Sequence, residues 1–136
     1  MNDELDLEFS SICKKITEES ANPDNGEVEL ESFYTDLLEF MIRNLEHRQH
    51  LVTILIEIVK QYRTAKTSRN RPLPGRAIAF AMHELRWREI LDFANAENWE
   101  YYAKFKGTTM QDIIDAYEDD WEDALFYERY KNHTSP

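Results

Sequence analysis

Apolar residues return every three to four positions along most of the chain, with polar residues between them. Leu5, Phe9, Ile12, Cys13 and Ile16 recur at helical spacing and predict a helix over residues 3–20. Asn22-Pro23-Asp24-Asn25-Gly26 carries strong turn chemistry. A second helix is expected from about residue 27, where Leu30, Phe33, Tyr34, Leu37, Leu38, Met41 and Leu45 form one wide apolar stripe. The series Tyr34, Leu38, Met41, Leu45, Arg48, Val52, Leu55, Val59, Tyr62 alternates steps of four and three. It permits one long helix through residues 27–66 with Arg48 in its seam. We favour a break at residues 45–49, because so long a helix is unusual in one small domain. Residues 51–59 are apolar nearly all round, which places that helix at the centre of a bundle.

Residues 64–75, with Ser, Asn, Pro72 and Pro74, read as the clearest loop. A helix is expected from about residue 76 to 104. Its stripe begins with Ile78, Met82 and Leu85 and continues on a shifted face through Trp87, Ile90, Leu91, Ala94 and Tyr101. Gly107 reads as a stop, and Thr108 or Thr109 as the cap of a last helix. That helix would carry Met110, Ile114, Tyr117, Trp121, Ala124 and Glu128 on one stripe, reinforced by Ile113 and Leu125. Residues 132–136 are expected to fray.

Composition agrees with an all-α chain. Apolar residues make up 42% of the 136 positions and include 17 aromatics, enough for a core. Three glycines and four prolines are too few for many short strands. The expected architecture is a bundle of four to six helices in a single compact domain, residues 1–131. The lone Cys13 cannot form an internal disulfide. The first residues have no basic, apolar leader pattern, and the apolar run at 51–59 is too short to span a bilayer. A cytoplasmic protein without a membrane or cofactor requirement is expected.

Charge adds a functional expectation. The net charge is −11, but residues 58–83 hold six basic residues and no acid, so the rest of the chain carries −17. Residues 107–128 hold eight acids and no base. Such a field repels nucleic-acid phosphates and anionic membranes and attracts basic proteins. In the stretch from Tyr117 to Asp123, acids alternate with aromatics, a pattern that protein interfaces use for steering and anchoring. Asp115, Glu118, Asp119, Asp120, Trp121, Glu122, Asp123 and Tyr127 are therefore the candidate partner-binding residues. The basic 58–83 stretch reads first as internal charge balance, and otherwise as a phosphate-binding or dimer-pairing element.

Two enzymatic patterns are also present. Glu97 and Glu100, then Asp112 and Asp115, are spaced to share helix faces, as carboxylates holding Mg²⁺ against a phosphate chain would be. This order of pairs resembles the all-α nucleoside triphosphate pyrophosphatases over these four positions alone. The doubled acids and Leu-rich flanks of that family are absent. Asp112 and Asp115 lie opposite the apolar stripe and should face solvent, whereas Glu97 lies on the Ile90–Ala94–Tyr101 line. Arg43-Asn44, followed by His50 at the suspected helix junction, resembles the HEPN-type ribonuclease pattern. His47 and His50 alone supply too few ligands for a metal.

The leading functional expectation is a non-catalytic acidic protein-binding module. An inhibitor or immunity-type protein that binds a basic, nucleic-acid-handling partner would fit. The alternatives are a Mg²⁺-dependent nucleotide hydrolase, a HEPN-like ribonuclease and a structural helical oligomer subunit, with a homodimer as its simplest form.

Overall fold

The computed structural model describes residues 3–62, 73–101 and 109–131. Among these residues the chain is all-α and has no strand. α1 is Asp3–Ser20 and α2 is Glu27–Arg43. A 3-10 turn at Leu45–His47 leads into α3, Arg48–Gln61. α4 is Gly75–Leu85, α5 is Arg88–Tyr101 and α6 is Thr109–Asp115. A second 3-10 segment, Glu122–Phe126, precedes the short α7, Glu128–Lys131. Residues 64–72 of the loop expected over 64–75, the Gly107 stop and the 132–136 tail expected to fray lie outside the described residues; Gly75 already opens α4.

α1 and α2 form an antiparallel hairpin. The turn between them closes as its sequence demands: the Asp24 amide donates to the Asn22 side chain at 3.0 Å, and Asn25 Nδ2 donates to the Glu19 carbonyl at 2.9 Å. Glu29 Oε1 accepts the Gly26 amide at 2.7 Å, satisfying one donor at the α2 entrance. Phe9, Cys13 and Ile16 of α1 are buried against α2, with Phe9 and Phe40 rings 5.9 Å apart. Burial pushes the Cys13 thiol up to about 12, so it stays protonated and inert.

The break between α2 and α3 falls where expected. Asn44 makes it: its backbone amide bonds to Met41 O at 3.2 Å and its Nδ2 to Phe40 O at 2.8 Å. Those carbonyls need no further helical turn. Arg48 then opens α3 rather than sitting in a continuous seam, and pairs with Glu89 of α5.

Three expectations need correction. First, α3 is not the central helix. Ile54 and Ile56 are only half-buried, and α3 packs chiefly on α5. The centre belongs to α4, where every residue from Ala77 to Met82 is buried between α2 and α6. Alanines at 77, 79 and 81 let those helices approach on several sides. Second, the helix expected over 76–104 is two. Arg86 adopts the left-handed conformation (φ 55°, ψ 38°) and caps α4, with its amide on Met82 O at 2.8 Å. The shift of apolar face after Leu85 marks this break: Ile78–Met82 and Trp87–Ile90 face the core only after the axis turns.

Third, the last helix ends at Asp115. Beyond it the backbone bonds step mostly to the third residue before, including Glu118 to Asp115, Trp121 to Glu118, Ala124 to Trp121 and Tyr127 to Ala124, until Lys131 bonds Tyr127 in the short α7. Continued α-helix would stack Glu118 on Glu122 and Asp119 on Asp123 one turn apart, and like charges so placed oppose helix. The buried residues follow the tighter period of three: Met110, Ile113, Ala116, then Trp121, Ala124, Tyr127, Tyr130.

Candidate functional site

The C-terminal segment 116–131 is pinned to the body along its whole length. The neutral His83 ring donates through Nδ1 to the Ala116 carbonyl at 2.7 Å. Arg86 reaches the same loop, with Nη1 on Tyr117 O at 2.8 Å and 3.3 Å from Asp119. The Tyr117 hydroxyl donates to Trp87 O at 2.7 Å, and the Tyr130 hydroxyl to Phe80 O at 2.6 Å. Glu31 of α2 accepts the amides of Glu128 and Arg129 at 2.8 and 3.0 Å, capping α7.

This anchoring decides which candidate residues face a partner. Trp121 and Tyr127 do not: they are 4% and 0% exposed. Both belong to an aromatic cluster with Tyr34, Phe80, His83 and Tyr130, in which Phe80 and Tyr127 meet edge to face at 4.9 Å. The Tyr127 hydroxyl donates to Glu27, and burial followed by the neighbouring carboxylate drives its pKa far up. Rings already dry in the core cannot be desolvated again by a partner, so their place as anchors is corrected. Asp123 is half-buried and paired to Arg76 at 3.3 Å. Arg76 also lies 3.7 Å from Glu27, so this member of the basic stretch balances acids inside the domain.

Asp115, Glu118, Asp119, Asp120 and Glu122 do face solvent. Beside them stand two apolar residues that the sequence reading put to other use or left out. Leu125 is 64% exposed and Phe126 49%, with the Arg76 guanidinium 5.9 Å from the Phe126 ring. The signal for their exposure was present in the sequence: in a period of three counted from Trp121, positions 125 and 126 fall outside the buried line.

No family model matches the chain, and no curated protein and no solved structure matches it.

Charge is distributed unequally at the level of ion pairs. The described residues hold all 27 acids but only ten of the 16 bases, a net charge of −17. Nine of those ten bases are ion-paired to acids of the same chain. Among the described residues, many carboxylates therefore have no ion-pair partner, and Glu118, Asp120 and Glu122 are exposed.

The enzymatic constellations are less well assembled. Glu97 is buried at 5% exposure while Glu100 is exposed, so that pair does not present two carboxylates to one ligand. Asp112 is half-buried and Asp115 is exposed, accepting from Gln111 at 2.8 Å. Among the described residues no three His, Cys, Asp or Glu side chains gather as metal ligands do. Arg43 and His50 flank the α2–α3 junction, but each is held by an acid of α1: Arg43 by Glu8 at 3.3 Å and His50 by Asp6 at 2.7 Å. These carboxylates orient the two side chains and at the same time set negative charge where a phosphate would have to sit. No described helix is long and apolar enough to cross a membrane.

Proposed function

We propose that this chain is a non-catalytic, acidic protein-binding module that captures a basic partner in the cytoplasm. An inhibitor or immunity-type role against a nucleic-acid-handling protein suits it best, since such partners carry the complementary charge. The observation that carries this reading is that nine of the ten described bases are held in internal pairs. A described body of −17 then presents its surplus as an outward field. Fields of this kind raise association rates and reject acidic competitors. Direct nucleic-acid binding is disfavoured by the same sign of charge.

The steering face is the exposed edge Glu118, Asp119, Asp120 and Glu122, with Leu125 and Phe126 as its apolar contacts in place of Trp121 and Tyr127. The test is charge reversal of Asp119, Asp120 and Glu122 together, read as partner capture from the native host with helicity followed by circular dichroism. Capture should be lost with the helical signal intact. Undiminished capture by the triple variant removes this face from the reading. A homodimer is the competing reading, and sedimentation over a range of concentrations separates the two.

A further inference from the structure

With Trp121 and Tyr127 spent in the core, the apolar contact that a tight complex needs must come largely from elsewhere. The α1–α2 hairpin offers a concave one. A groove of about 560 Å³ crosses α2, with Ile12 and Ile42 as its apolar lining and Asp36, Glu39, Arg43 and Arg129 around it. It shares Ile12 and Asp36 with a smaller hollow of about 210 Å³ that reaches Phe33 and Lys15. The two form one trough. From Phe33 to Ile42 along α2 it runs about 13 Å at the helical rise, the length of two to three turns of a docked helix.

The trough's lining holds Asp36 and Glu39 against Lys15, Arg43 and Arg129. Its cations are neutralised from outside it: Lys15 by Glu19, Arg43 by Glu8 and Arg129 by Glu84. Asp36 and Glu39 make no ion pair among the described residues, and both are exposed. Residues 3–43 as a whole carry twelve acids against three bases. Ile42 is 39% exposed.

We propose that this trough is the docking slot for a basic amphipathic helix of the partner. Its apolar residues would lie over Ile12, Phe33 and Ile42, and its Lys or Arg residues would pair with Asp36 and Glu39. Helix-in-groove recognition places anchors at successive turns in this way. The inference rests on the protein-binding reading above and adds to it where the partner's apolar face is received.

The test uses a fluorescent peptide of three helical turns with leucines on one face and lysines on the other, and a scrambled peptide of the same composition. Binding is followed by anisotropy and by amide shift mapping on the full chain. The amphipathic peptide should bind with shifts centred on α1 and α2. Ile42→Asn, and separately the Asp36→Asn/Glu39→Gln double variant, should each weaken it at least tenfold, while Glu57→Gln/Asp92→Asn, which removes two exposed acids of α3 and α5, changes it less than threefold. Circular dichroism of each variant checks that it folds. Equal affinity for the scrambled peptide, or shifts centred on residues 118–126, overturns the slot and leaves the acidic-module reading standing. No binding of either peptide at low salt overturns both.

Discussion

Arg48 holds Glu89 through two parallel hydrogen bonds, Nη1 to Oε2 at 2.7 Å and Nη2 to Oε1 at 2.5 Å, while its guanidinium lies 5.2 Å from the Trp87 ring centre. This fork joins the first residue of α3 to the first turn of α5 and fixes the angle between elements that are remote in sequence. Bidentate geometry is the form in which a partly exposed ion pair contributes measurably.

The Arg48 hydrogen bonds hold the Glu89 carboxyl far below its ordinary range, from 4.5 to about 2. A carboxyl depressed in the folded state adds stability above its unfolded pKa, and that contribution is lost as pH falls through the folded value. Glu89→Gln should therefore cost about 1 kcal/mol at neutral pH, the upper end for a pair this exposed. Between pH 4.5 and 2 the stability difference between wild type and variant should shrink to nothing. Urea unfolding at several pH values measures it. A constant difference across that interval would show that the pair does not act through ionisation.

The aromatic cluster separates core from surface along one short segment. Trp121→Ala opens a cavity beneath a ring 4% exposed and should cost about 3–5 kcal/mol. Phe126→Ala, five residues on and 49% exposed, should cost about 1 kcal/mol or less. Denaturant midpoints of the two variants give the comparison directly. A Phe126 variant as damaged as the Trp121 variant would mean that the 3-10 segment packs the other way round.

That contrast also marks how far the sequence could be read. Long amphipathic stretches were legible: α1 and the start of α2 follow from residues 3–20 and Leu30–Met41 alone, because a strong period over several turns leaves little choice of buried face. The α2–α3 break was expected only from the length that a continuous helix would need; the hydrogen bonds by which Asn44 makes it could not be read beforehand. The turn at Arg86 showed only as a displaced stripe, since arginine is not a residue that advertises a left-handed backbone. The C-terminal error was one of period. Trp121 and Ala124 satisfy spacings of both three and four, and only Tyr127 and Tyr130 distinguish them. Glu118, Asp119, Asp120 and Glu122 are exposed, but Trp121 and Tyr127, expected beside them as partner contacts, are buried. Ion pairs such as Arg43 with Glu8 could not be read at all, because they depend on how the helices assemble.

Arg86 holds a left-handed backbone at φ 55° while its side chain bonds His83 O at 2.9 Å and Tyr117 O at 2.8 Å. Removing the side chain and relieving the backbone are separable. Arg86→Ala keeps the strain and loses the bonds, and should destabilise by about 1–3 kcal/mol. Arg86→Gly loses the same bonds but relaxes the backbone, and should recover about 1 kcal/mol of that loss. The order Gly above Ala is the reverse of what a helix interior gives. Alanine equal to or above glycine in urea unfolding would show that the cap carries no such strain.

His83 ties the acidic edge to the aromatic core, and its titration should be visible in stability. Its ring lies 4.9 Å from Trp121 and 4.6 Å from Tyr130, with Nδ1 on the Ala116 carbonyl. Burial lowers its pKa below the ordinary 6.5; the Ala116 hydrogen bond opposes this, Arg86 reinforces it, and Glu84 and Asp119 oppose it more weakly. A base whose folded pKa is lowered takes up its proton more readily when unfolded, so folding stability is full above 6.5 and falls as pH drops below it. His83→Gln keeps a donor for the Ala116 carbonyl but does not titrate. Its unfolding free energy should therefore sit below that of wild type at pH 7.5, with the gap narrowing steadily as pH falls below 6.5. Because every other histidine is common to both proteins, the change in that gap belongs to His83. A gap that widens on acidification would require the folded protein to favour the imidazolium, and the ring would then have to sit in contact with a carboxylate rather than between Trp121 and Tyr130.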